Sequence, residues 1–242
     1  MSFSARVSID VVRAIGLLGG MSWVSTEHYY RLINADVAAR LGTEHCAALT
    51  LWQSDFATLT ELQREGRWDA AGAILAEGAK ALVAAGADLV AICANTMHLC
   101  APQINDAIAP RSVVDIVEVV RDECVTRGIS RLGLLGTAYT MESPLLYPPP
   151  LAAAGIEVIV PDSAQRAEIQ RITFEELIAD VITERSRATF ISVAASMIER
   201  GAQGVALACT EHGLLLVEGD VAVPVLDTTV LHARRLVDLA LA

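Results

Sequence analysis

Four short segments of this 242-residue chain form two matching pairs. Gly16-Leu17-Leu18-Gly19 returns as Gly133-Leu134-Leu135-Gly136, and Ile92-Cys93-Ala94-Asn95-Thr96-Met97-His98 is matched by Leu207-Ala208-Cys209-Thr210-Glu211-His212. The spacing is kept too: Gly19 and Ala94 lie 75 positions apart, Gly136 and Cys209 lie 73 apart. The closing segments each follow an Ala/Gly-rich stretch, beginning at Gly86 and at Gly201. The chain therefore reads as an internal duplication in which Ala94 and Cys209 are equivalent points. Two such points facing each other across a pseudo-twofold cleft can address opposite faces of one bound molecule.

Apolar runs and helical patterns alternate in both halves. Strands are expected over 13–18, 46–52, 87–93 and 113–115, then over 131–135, 157–160, 204–208 and 223–227. Helices are expected over 26–41, 69–85, 97–107 and 114–127, then over 163–184, 186–200 and 228–242. This alternation predicts right-handed βαβ units. The expected fold is α/β: two pseudo-symmetric lobes, each a mainly parallel sheet flanked by helices, with the active site in the cleft between them. Residues 14–115 make the first lobe, 116–227 the second, and 228–242 a C-terminal helix available to complete the first. Residues 1–13 read as an N-terminal extension. Gly86 and Gly201 sit where helix C-caps are expected, and Pro144 with Pro148–Pro150 predicts a loop rather than a helix.

Composition narrows the function classes. With 53% hydrophobic and 5% aromatic residues, the core must be built from Ala, Val, Leu and Ile, as in layered α/β proteins with buried parallel strands. A net charge of −11 argues against nucleic acid and anionic membrane as partners. Residues 1–12 lack the apolar run of a signal peptide, and no run is long enough to span a bilayer, which predicts a cytoplasmic protein. Five cysteines without CxxC or Cys/His spacing point to free thiols in a reducing compartment and to no metal.

On open parallel sheets, ligands sit beyond the carboxyl ends of the strands. Gly19-Gly20-Met21-Ser22, Ala94-Asn95-Thr96, Gly136-Thr137 and Cys209-Thr210 all fall at such ends, and that convergence marks them as one site. The Gly19-Gly20 turn lacks the spacing of a nucleotide-binding loop; it serves either a tight turn or backbone donors for an anion. Cys209 is either a core thiol or a reactive one, and its place beside helix-terminal N–H groups predicts a lowered pKa. Cys46, Cys93, Cys100 and Cys124 read as structural. Asn95, Thr96, Thr137, Thr140 and Thr210 are each capable of capping a helix, and together offer donors for a carboxylate. His98 and His212 fit helix starts or core positions as well as they fit catalysis.

The stretch Ile15–Trp23, followed by Ser25-Thr26 and Tyr29–Asn34, resembles the opening of the aspartate/glutamate racemase superfamily, in particular its broad-specificity amino-acid racemase branch. Asn95–His98, Leu134–Glu142 and Cys209-Thr210-Glu211 are similar to that branch in order and spacing, from Ala14 onward. The resemblance implies a cofactor-independent racemase or epimerase acting on a small amino acid, working as a homodimer, in which two thiols flank the substrate Cα. It implies that Met21 and the Asn-Thr and Thr-rich strand ends bind substrate, that Arg166 can hold a side-chain carboxylate, and that Arg31 assists. One position departs from the pattern. The residue before Asn-Thr is normally Cys, or Thr in one subgroup, and here it is Ala94. Adjacent strand residues point to opposite faces, so Cys93 does not replace it. Three readings follow: a racemase-type enzyme with Cys209 as surviving acid/base and Thr96, His98 or a water as second carrier; a one-thiol decarboxylase or isomerase; or an amino-acid-binding module without turnover.

Overall fold

The computed structural model describes residues 12–179 and 181–242; the N-terminal extension therefore lies almost wholly outside the described residues. Two parallel sheets carry the fold. In the first, β1 (Ile15–Gly19) lies between β2 (Leu49–Gln53) and β3 (Leu89–Ile92). In the second, β4 (Arg131–Gly136) pairs with β5 (Glu157–Ile159) on one side and β6 (Gly204–Ala208) on the other, with β7 (Val225–Asp227) beyond β6. The duplication is visible in this order, since β1 and β4 each lie beside the strand that leads to the second motif. The expected strand at 113–115 is reduced to a single bridge, Val90 to Val113, because the chain turns at Asp115 into a helix.

Helices cover both faces of each sheet. On the first sheet, α2 (Phe56–Arg64), α3 (Trp68–Ala84) and α4 (Ala101–Ile108) bury Leu59, Leu75, Leu82 and Ile104 against Leu18 and Ile92. On its other face, α1 (Trp23–Leu41) and α10 (Thr228–Ala240) pack Tyr29, Ile33, Leu236 and Val237 on Ile15, Leu17 and Ala91. The C-terminal helix thus returns to cover the first lobe. The second sheet is sandwiched between α8 (Ser163–Glu175) with α9 (Glu184–Glu199) and α5 (Ile116–Arg127) with α7 (Pro148–Ala153); the single turn α6 (Ala138–Met141) follows β4.

Local chemistry sets the boundaries. Ser22, Asp115, Thr183 and Asp227 cap α1, α5, α9 and α10 through side-chain oxygens that accept first-turn N–H groups. Asp162 forms a full capping box with Gln165 at the start of α8. Three expectations needed correction. The helix expected over 163–184 ends at Glu175, followed by a 3₁₀ turn over Leu177–Ala179, and Thr183 starts a new helix. Helix α2 was not expected at all; Asp55 initiates it by accepting from Thr58 N–H at 3.1 Å. Pro148 and Pro149 do not enforce a loop, because they occupy the first turn of α7, where a missing N–H leaves no intrahelical bond unmade.

Candidate active site

The strand ends β1, β3, β4 and β6 converge on a small cavity of ≈ 60 Å³ between the lobes. Its wall includes Met21, Ala94, Asn95, Thr96, Thr137, Cys209 and Thr210 from the segments expected to meet there, together with Glu211. Gly20 makes this approach possible. Its φ is +85°, and a Cβ there would meet Ser54 O.

Hydrogen bonds across the cleft fix the wall. Ser22 Oγ, from the first lobe, donates to Glu211 Oε1 at 3.1 Å. Asn95 is held at both ends of its amide: Tyr147 OH donates to Oδ1 at 2.6 Å, and Nδ2 donates to Thr228 Oγ1 at 3.0 Å. Thr96 Oγ1 lies 2.8 Å from Thr140 Oγ1 and 3.2 Å from Thr137 Oγ1, a hydroxyl cluster joining the two lobes. Thr140 is fully buried and acts behind the wall through that cluster.

Cys209 is the reactive-group candidate, and its environment differs from the expected one. Its Sγ–H donates to Glu211 Oε2 at 3.1 Å, the same oxygen that accepts from Thr210 Oγ1 at 2.6 Å. Burial and the neighbouring Glu211 carboxylate push the thiol well above its ordinary range; backbone N–H groups of Glu211 and Thr210 pull the other way and lose. The lowered pKa expected from a helix terminus fails for a local reason. Only a three-residue 3₁₀ turn, His212–Leu214, follows the thiol, too short to present a helix N-terminal field. At rest the thiol is a proton donor.

Ala94 also lines the cavity, and its methyl offers no proton. Cys93 is fully buried on the opposite face among Tyr29, Ala91 and Ala233, with burial pushing its thiol far up. His98 is also committed. Ile116 N–H donates to its Nε2 at 3.2 Å, so the proton sits on Nδ1 and is given to Ala94 O at 2.8 Å. His212 is fully buried, bonded through Nε2 to Thr173 Oγ1 at 2.9 Å, with burial pulling it down to about 3. Neither histidine lines the cavity.

The two arginines are not brought into this cavity. Arg166 Nε donates to Glu142 Oε1 at 2.9 Å and Nη1 to Pro161 O at 2.7 Å, beside a separate surface depression. Arg31 is exposed, 3.8 Å from Glu27, and lines another depression behind Glu211. Conversely, Phe56, Gln63, Thr173, Phe174 and Ile178 complete the wall and carried no sequence signal. They come from α2, the end of α8 and the 3₁₀ turn after it, elements whose apolar residues look like ordinary core in one dimension.

A two-lobed α/β protein with a thiol at one strand end of the inter-lobe cleft defines the class. The sequence profile of the Asp/Glu/Hydantoin racemase family matches residues 18–236, and the chain belongs to that family. A Yersinia pestis protein classed as an Asp/Glu racemase is 40% identical, with TM-score 0.88 over 95% of this chain and 100% of that one. An aspartate racemase homologue from Pyrococcus horikoshii OT3 is 32% identical, with TM-score 0.81 over 94% and 99% of the two chains. Arylmalonate decarboxylase shares the fold at 17% identity and TM-score 0.52, covering 94% and 92%. No helix among the described residues is long and apolar enough to cross a membrane.

Proposed function

We propose that this chain is a cofactor-independent amino-acid racemase-type enzyme in which one thiol, Cys209, carries the proton at Cα. The observation that supports it is the Cys209–Glu211 hydrogen bond at 3.1 Å in the inter-lobe cavity, which Ala94, a residue with no proton to carry, also lines. The resting thiol is protonated. To remove a proton from Cα it first passes its own to Glu211 Oε2; the thiolate then takes the Cα proton, and the electron pair left on carbon delocalises into the substrate carboxylate. Asn95, Thr96 and Thr137 hold that carboxylate with hydroxyl, amide and backbone donors, which stabilise the developing charge without an added cofactor. Once the thiol proton has exchanged with solvent, its return from Cys209 regenerates the same enantiomer with solvent hydrogen at Cα. Inversion needs a donor on the Ala94 side, and a water or the Thr96 hydroxyl is the group within that wall. His98 is not, because both ring nitrogens are committed.

A second reading keeps the thiol and changes the bond broken. A protonated Cys209 suits delivery of a proton to a carbanion left by CO₂ loss, and arylmalonate decarboxylase shares the fold. We place the family's racemase chemistry first because two relatives above 30% identity are described as an Asp/Glu racemase and as an aspartate racemase homologue. The homodimer implied by the resemblance is also proposed; sedimentation velocity of the full chain tests it. The function is tested by incubating amino acids with the protein in D₂O and following Cα–H by NMR. Cys209→Ser should abolish exchange, while Cys100→Ser and Cys124→Ser, both buried in the core, should retain it. Full exchange in Cys209→Ser would sink the assignment.

A further inference from the structure

Charge in the cavity is one-sided. Among the described residues no Arg, Lys or His lines it, and Glu211 is its one carboxylate. Met21, Phe56, Met97, Phe174 and Ile178 make the rest of the wall largely apolar. The cation best placed by sequence, Arg166, is held by Glu142 and Pro161 O elsewhere. A ligand carrying two carboxylates would bring a second negative charge beside Glu211, with no cation to offset its desolvation. A zwitterionic amino acid meets different conditions. Its ammonium is complementary to Glu211, its single carboxylate can use the Asn95, Thr96 and Thr137 donors, and an uncharged side chain can pack on the apolar wall.

From this we infer that the substrate is a small monocarboxylic amino acid with an uncharged, mainly apolar side chain, rather than aspartate, glutamate or a malonate-type dianion. The inference rests on the thiol reading of this cavity and narrows it. The small cavity, ≈ 60 Å³, favours side chains of a few carbons.

The test is calorimetric titration of the full chain with 2-aminobutyrate, norvaline and methionine against aspartate, glutamate and methylmalonate, both enantiomers where they exist, with Cα–H exchange in D₂O followed in parallel. The neutral amino acids should bind at least tenfold more tightly than any of the three dicarboxylates. Ile178→Arg places a cation in the wall and should shift the aspartate-to-norvaline affinity ratio at least tenfold towards aspartate; should that variant not fold, Gln63→Lys does the same from α2. Aspartate or glutamate binding as tightly as norvaline in the unsubstituted protein overturns the inference while leaving the thiol reading intact. Neutral amino acids bound selectively without exchange support the inference and remove the thiol reading. No binding by any of the six overturns both.

Discussion

Replacing Glu211 by Gln separates two effects that the wild-type protein couples. The carboxylate oxygen is 3.1 Å from Cys209 Sγ and raises the thiol pKa, with burial as the larger cause. A unit charge about 4 Å from another is worth ~4 kcal/mol at an effective dielectric of ~20. The thiol is only part-buried, so about a third of that, roughly 1.4 kcal/mol, is a restrained figure, and it corresponds to about tenfold in thiolate population. Glutamine keeps the shape and removes the charge; its single amide oxygen can accept from Ser22 or from Thr210, which in Glu211 use different oxygens. Alkylation of Cys209 by iodoacetamide near neutral pH should therefore become about tenfold faster. Cys46 is exposed and must first be changed to Ser so that its reaction does not mask the signal. Cα–H exchange should move the opposite way, falling by about 10²–10⁴-fold, the usual worth of a positioned proton acceptor. Unchanged or slower alkylation in Glu211→Gln would refute the electrostatic reading, and undiminished exchange would show that Glu211 does not take the thiol proton.

Three further outcomes are expected. Ala94→Cys supplies a proton carrier on the empty face and should raise two-way racemisation by about 10²–10⁴-fold, read by circular dichroism or chiral chromatography; rapid racemisation already present without it would assign the second carrier to another group, with Thr96 next to be mutated. Tyr147→Phe strips the donor from Asn95 Oδ1 in a fully buried setting and should lower unfolding stability by about 1–3 kcal/mol in denaturant titrations. Burial pulls His212 and His232 down to about 3, so the unfolded chain binds protons below its ordinary ~6.5 that the folded chain refuses; stability must fall as pH drops, by about 2 kcal/mol per histidine between pH 7 and 5, and equal unfolding midpoints at those two pH values would contradict it.

Much of the fold was legible because its signals are local. Parallel strands buried on both faces read as apolar runs, as Leu89–Ile92 and Gly204–Ala208 do, and Asp115 and Asp227 mark helix starts through bonds to neighbours two and three residues on. The missed helix α2 and the break after Glu175 depended on how weakly patterned segments pack against the sheets, which no short window records. Within the site, the strand-end residues were findable because a duplication labels them. Phe56, Phe174 and Ile178 carry no such label.

By itself the sequence determined the doubled α/β order, the convergence of Met21, Ala94, Asn95, Thr137 and Cys209 at strand ends, and an alanine, with no proton to carry, at position 94. Tertiary structure alone decided the chemistry those residues can do. It buried Cys209 in the cleft, the larger cause of a thiol pKa raised where local sequence pointed to a lowered one, and it brought Glu211 and Ser22, 189 positions apart, into one hydrogen bond beside that thiol. It also tied Arg166 to Glu142 and His98 to Ala94 O, removing both from the cavity. The physical reason is range: strand periodicity and helix capping act over a few residues, whereas a pKa and the sign of charge in a cavity are sums over whatever the whole fold packs around them.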